Sequence, residues 1–380
     1  MLINIQLLRF LAALAVVFTH GHAHVVAANG PQDGLFGFFH LFGYAGVDVF
    51  FVISGFIIWH TTTSLHGGRG AADFLYRRAT RIYTGYWPYA LLALLLFWVF
   101  GPEVLKRIDY WGSFLLYSTK IDELLLPVAW TLVYELYFYL VFTLLLLFSN
   151  RFRLLALVVL FAVVLTVQGV GWLYLDLYSQ ANFWGLSIFF LFFTSPFCLE
   201  FLAGAMLAAG YQRLRPNPWL LFTLFLLFLV GGIYLQEAVI GERLEKGYHA
   251  PYRVLFFGSA ALFLVWAMLR LEQLGRVLAP RYGLFLGDIS YSLYLSHTLL
   301  LTAIYFFGLR DLAAETGYQE VWYLLFSLLI IAYSALHYRW IEYPLRSLSQ
   351  RLRRVYLARW PLAGQGGRSS SANTQQPSVQ

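Results

Sequence analysis

The sequence predicts an all-α polytopic membrane protein, a bundle of about ten transmembrane helices with both termini cytoplasmic. Composition is the first observation behind this: of 380 residues 60% are hydrophobic and 12% charged, about half the charged share of a soluble domain, so most of the surface faces lipid. The second is a series of apolar runs long enough to cross a hydrocarbon core of about 30 Å. The third is the gathering of Lys and Arg in alternate connections, the mark of cytoplasmic loops. A formal net charge of +7 would point to nucleic acid in a soluble protein; here the basic residues cluster between apolar runs, which argues against that partner.

In chain order the runs are Ile3 to Val26, Gly43 to His60, Ile82 to Phe100, Val128 to Phe148, Leu154 to Leu175, Ser187 to Ala209, Trp219 to Leu235, Pro251 to Leu269, Leu284 to Gly308 and Val321 to Trp340. Small residues from Ala23 to Gly30 resemble a secretory cleavage region, but further spanning runs follow, so the first is read as an uncleaved helix. With the N-terminus inside, the inner segments hold nineteen basic residues. The outer loops hold seven: Lys106, Arg107, Lys120, Arg243, Lys246, Arg253 and Arg310. Outer loops such as Gly101 to Pro127 are short and can form a rim, not a catalytic domain. Residues 1–360 therefore read as one membrane domain and 361–380, rich in Gly, Ser, Gln and Asn, as a disordered cytoplasmic tail. The sole cysteine, Cys198, excludes an intrachain disulfide and reads as a packing residue.

An ionisable group in hydrocarbon costs several kcal/mol unless it is paired or lines a wet cavity, so each one is a functional candidate. Arg9 and His20 lie on the first helix. Eleven residues at about 100° each leave them about 20° apart and about 16 Å along the axis, on one face. One reading has Arg9 engage an anion from the cytoplasm while His20 moves a proton or attacks. The other has Arg9 snorkel to lipid phosphate and His20 end the helix. His22 and His24 follow at two-residue spacing, with no carboxylate or cysteine nearby in sequence, and this argues against a metal.

In the second run Asp48 shares a face with Gly55, which permits close helix approach. It can orient a catalytic histidine or pair with a structural arginine, and Ser54 lies beside that glycine. Arg78 and Arg81, three apart at the inner boundary, can grip phosphates or simply mark the cytoplasmic side. Glu135, in a stretch opened by Trp130 and crowded with tyrosines, needs a partner from another helix; Glu200 is a second such carboxylate. Ser290, Tyr294 and His297 recur at helical spacing as a polar stripe that suits a hydrated cavity or interhelical bonds. Arg339 and Glu342 read as a local pair, with Pro344 ending the last helix.

Together these residues resemble the membrane-bound acyltransferase family 3, in the branch that modifies exopolysaccharides and other surface polysaccharides. The likeness runs over nearly the whole chain: Arg9 with His20, Gly46 to Gly55, Arg78 with Arg81, Trp130 to Glu135 with Tyr137 to Tyr139, and Ser290 to His297. Ser195-Pro-x-x-x-Glu200-Phe-x-x-Gly204 is similar to the exopolysaccharide branch. Many lipopolysaccharide-modifying relatives add an eleventh helix and a periplasmic hydrolase-like domain. This chain stops first, which leaves the acceptor open.

The resemblance implies an enzyme of the bacterial inner membrane that moves an acyl group, acetyl above all, from acetyl-CoA to a carbohydrate hydroxyl. Arg9, Arg78 and Arg81 would bind the donor. His20 would act as base, with Asp48 or Glu135 holding its tautomer, or would carry the acyl group itself. Ser54, Trp130, Ser290, Tyr294 and His297 would line the substrate cavity. The main alternative is a transporter of glycan or lipid-linked sugar using the same buried ions, weakly opposed by the absence of an internal repeat. A scaffold in a polysaccharide-assembly complex is the third.

Overall fold

Hydrocarbon supplies no hydrogen-bond partner for a backbone amide, so a segment that crosses it satisfies its own amides as helix. The described residues, 2–359 except 119 and 184 in a computed structural model, are helices and their connections, with no strand among them. Ten helices are long and apolar enough to span: α1 Ile3–Ala27, α2 Gly43–Thr62, α3 Gly67–Phe100, α4 Pro127–Leu145, α5 Asn150–Leu173, α6 Phe190–Gly210, α7 Pro218–Ile240, α8 Gly247–Gln273, α9 Gly283–Phe306 and α10 Gln319–Val355. The tail predicted at 361–380 lies outside the described residues.

Two helices outrun their apolar runs. The 34 residues of α3 start at Gly67, not Ile82, so Arg77, Arg78 and Arg81 ride on the same rod that crosses the membrane. At about 1.5 Å per residue that rod is about 50 Å long, about 20 Å more than a hydrocarbon core of about 30 Å requires. Pro344 does not end α10, contrary to the sequence expectation. Tyr338–Glu342 opens into a π-helical turn, and the helix resumes as Tyr343–Arg359. Proline removes one amide and crowds the carbonyl four residues earlier; a widened turn just before it absorbs both defects. In α6, by contrast, the helix breaks at Thr194–Pro196 and restarts at Phe197.

Close approach is bought with glycine at the centre of the bundle. A Cβ on Gly55 would stand 1.9 Å from the Phe201 carbonyl oxygen, and one on Gly204 2.0 Å from that of Val52, so α2 and α6 meet backbone to backbone. Gly43 and Gly46 lie equally close to the Ala15 and Ala12 carbonyls of α1. α1 also packs against α8 and α9, which makes it the inner member of the bundle. The outer faces of α5 and α7 expose Leu155, Val159, Val163, Leu220, Leu227 and Val230, as lipid-facing helices do.

Candidate functional site

Arg9 is buried on α1, its Nη1 donating to Gln6 Oε1 at 2.9 Å. It faces a narrow cavity shared with Ser54 of α2, Arg78 and Arg81 of α3, Glu135 and Tyr139 of α4, and Tyr291 and Tyr294 of α9. Glu135 Oε1 accepts from Ser54 Oγ at 3.2 Å and from the Tyr139 hydroxyl. Arg78 donates to Thr61 Oγ1 at 3.0 Å and lies 5.6 Å from the centroids of the Phe74 and Tyr139 rings. One carboxylate thus stands among three guanidiniums, leaving a net positive chamber inside the bundle. At the end nearer the arginines, Arg78 and Arg81 also line a wider vestibule, together with Arg77, Arg346, Arg353 and Arg354.

The chamber ends at Tyr294. Its hydroxyl donates to the Val128 carbonyl and accepts from Thr131 Oγ1, each at 3.1 Å, and its ring meets the edge of Phe50 at 5.6 Å. One turn further along α9, His297 is fully buried, and neither ring nitrogen has a hydrogen-bond partner among the described residues. Its ring centroid is 5.0 Å from that of His20. His20 Nδ1 lies 2.9 Å from the Val16 carbonyl, which only accepts; Nδ1 therefore carries the proton and Nε2 the lone pair.

His20 is exposed. On its helix it shares a face with Ala13 and Val16, both fully buried, whereas Leu11, about 180° away, is the exposed residue of the opposite face. The imidazole therefore stands above the buried face of α1, beside His297 and at the end away from the arginines.

Several sequence expectations need correction. Asp48 does not hold His20. Its carboxylate is fully buried and bound by Arg253, with Nη2 to Oδ2 at 2.7 Å and Nε to both oxygens at 3.2 Å. Arg253, counted from sequence among the outer-loop residues, is buried in α8 with its guanidinium 4.9 Å from the Phe197 ring centroid, and Glu200 packs beside the pair. In a low-dielectric interior a carboxylate gains more from a guanidinium than from a neutral imidazole. Glu135 does not hold His20 either, being spent on Ser54 and Tyr139.

Ser290 and Trp130 lie off the cavity wall. Ser290 Oγ donates to its own helix at the Gly287 carbonyl, 2.7 Å away, and Trp130 packs among Phe51, Tyr134 and Phe197. Their neighbours Tyr291 and Thr131 line the cavity instead. Glu342 does not pair with Arg339; it is buried and accepts from Ser292 Oγ at 2.8 Å. The arginines after Pro344 were missed because the helix was expected to stop there, although their spacing of seven and eight residues from Arg346 places them on one helical face.

His22 stacks on His40 at 3.9 Å and meets the Gln32 carbonyl at 3.0 Å. No three His, Cys, Asp or Glu side chains converge as a metal site among the described residues.

Comparison with known proteins adds a family to this geometry. The family model described as an acyltransferase domain, acyltransferase 3, matches residues 2–345, ending before Arg346, Arg353 and Arg354. The exopolysaccharide production protein ExoZ of Rhizobium meliloti (strain 1021) is 31% identical over 271 residues, covering 69% of this chain and 78% of that protein. Nodulation protein 10 of Rhizobium leguminosarum bv. viciae is 30% identical over 171 residues, covering 40% of this chain and 46% of that protein. No solved structure matches the chain.

Proposed function

The chain belongs to the acyltransferase 3 family, as a multi-pass membrane acyltransferase, and from that premise we propose that it moves an acetyl group from acetyl-CoA to a hydroxyl of an exported polysaccharide. The arginine face is then cytoplasmic and the membrane is the bacterial inner one. One observation carries the reading: a guanidinium-lined chamber entered past Arg78 and Arg81 ends at Tyr294, and His297, one turn further along α9, lies against the His20 imidazole. That order matches a long anionic donor with its thioester at the far tip. The exopolysaccharide role named for the 31% identical relative supports the class of acceptor.

The donor phosphates stay with the arginines while the slim arm runs beside Arg9 and displaces the Tyr294 ring, which two 3.1 Å hydrogen bonds hold in place. Beyond Tyr294, Nε2 of His20 removes the proton from a sugar hydroxyl. The oxygen attacks the thioester carbonyl, the carbon–sulfur bond breaks, and the thiolate leaves and takes up that proton. The Val16 carbonyl keeps the imidazole in the tautomer this needs.

The test uses the full chain in lipid with radiolabelled acetyl-CoA and deacetylated exopolysaccharide. Label should enter the polysaccharide, and His20→Ala should lower the rate by about 10²-fold or more without loss of folded protein. Full transfer by His20→Ala would remove the proposed base, and a burst of enzyme-bound label without acceptor would make His20 the nucleophile. Wild-type protein that moves no label would sink the donor.

A further inference from the structure

The vestibule is built from two rods. The part of α3 that precedes its apolar run contributes Arg77, Arg78 and Arg81, and the continuation of α10 beyond Pro344 contributes Arg346, Arg353 and Arg354. The rods are fastened together by Asp73 of α3. Its carboxylate takes Arg353 Nε at 2.5 Å and Nη2 at 2.9 Å while also pairing with Arg77 at 3.1 Å. Tyr76 adds a hydrogen bond to the Ser349 carbonyl at 3.2 Å.

Asp73 thus occupies two of the six guanidiniums. The other four, Arg78, Arg81, Arg346 and Arg354, make no ion pair among the described residues. The continuation is also oriented: Leu348, Leu352 and Val355 are exposed on the side away from the vestibule, so its arginine side is turned toward α3. Four like charges around one open space repel each other unless an anion sits between them, and four is about the charge of a diphosphate plus a phosphomonoester.

Depth separates the four. Arg78 and Arg81 border both the inner chamber and the vestibule, whereas Arg346 and Arg354 border the vestibule alone. A coenzyme A thioester is ordered the same way: the arm, then the diphosphate, then the ribose with its 3′-phosphate. Resting on the donor reading above, we propose that the continuation of α10 is the 3′-phosphate site. Arg346 and Arg354 hold the terminal phosphomonoester, Arg78 and Arg81 hold the diphosphate, and Arg353, clamped by Asp73, fixes the wall they stand on. The enzyme then selects the 3′-phosphorylated donor over its dephosphorylated form.

The experiment compares acetyl-CoA with acetyl-3′-dephospho-CoA, using the full chain in zwitterionic nanodiscs. Wild-type protein should show a KM about tenfold lower for acetyl-CoA, the effect of one charge-assisted contact. Arg354→Ala and Arg346→Gln, changes near the open rim, should raise KM for acetyl-CoA and shrink that ratio toward one. Arg351→Ala, exposed and outside the vestibule, should leave the ratio alone. No preference in the wild type, or a preference untouched by both variants, overturns the site.

Calorimetry with adenosine 3′,5′-bisphosphate provides a readout that needs no turnover. Binding should weaken about tenfold in Arg354→Ala and for ADP in place of the bisphosphate. Binding of the bisphosphate through Arg354 by a protein that transfers no acetyl group would keep this site and sink only the acyl-transfer reading. Acetyl transfer that ignores the 3′-phosphate would do the reverse. If phosphatidylglycerol in the nanodisc competes with the bisphosphate and the wild type also ignores the 3′-phosphate in turnover, the arginines serve a lipid headgroup and the proposal falls.

Discussion

Two buried arginines show how differently the two ends of this bundle treat charge. Arg253, near the His20 end, is held by three hydrogen bonds from its guanidinium to one carboxylate, is flanked by aromatic rings, and borders neither of the spaces described above. Arg9, at the other end, has one neutral partner, Gln6, and faces open volume. The first arrangement closes off its charge as part of the frame; the second leaves charge available for a visiting anion. Burial alone does not separate structure from function here, since both side chains are less than 10% exposed. The partner does.

The comparison breaks most decisively at Asp48. Arg253→Ala strands a carboxylate in the bundle and should cost about 3–5 kcal/mol of stability, read as loss of folded protein in a thermal or detergent challenge. The double change Asp48→Leu with Arg253→Met should recover most of it; a double variant as unstable as the single one would mean that the pair is not an isolated unit. At the other end the signs reverse. Arg9→Ala should leave stability within about 1 kcal/mol but raise KM for acetyl-CoA about tenfold or more, since the contact it removes is made to the ligand. Equal loss of stability in the two alanine variants would erase the distinction between the two ends.

A smaller effect concerns acid. His40, outside the spanning segments and stacked on His22, is held down to about 4 from its ordinary 6.5 by burial first, then by Arg243 and His22. The folded form keeps this ring neutral while the unfolded form protonates near 6.5. The stability it contributes is therefore complete above about 6.5 and is lost as pH falls toward about 4. Hydrogen exchange in the short helix Leu35–His40 should quicken over that window, and His40→Gln should flatten the response.

What could be read from the sequence was what a single helix decides. Arg9 and His20 share a face because both ride on α1, where the 3.6-residue period is enough to align them. Gly55 was legible as a close-approach position for the same reason, and Gly204 answers it across the interface. Relations between distant segments were not legible. Asp48 and its partner are separated by 205 residues, and nothing local distinguishes a carboxylate that meets a guanidinium from one that meets an imidazole. Nor was the register of α9: its hydroxyls point to several sides, Ser290 to its own helix and Ser292 to Glu342, and nothing local says that Tyr291 is the one that looks into the cavity. The continuation of α10 was hidden by the usual meaning of proline, which a π turn just upstream cancels.

The Tyr294–Phe50 contact has a consequence for the cell as well as for the reaction. An enzyme whose two substrates meet from opposite sides of a bilayer places a wet pocket on each side, and a continuous water column between them would discharge the ion gradients the membrane exists to keep. On the donor route proposed above, the Tyr294 and Phe50 rings would close the chamber while no donor is bound, and an arm that pushed the Tyr294 ring aside would itself fill the gap it opened.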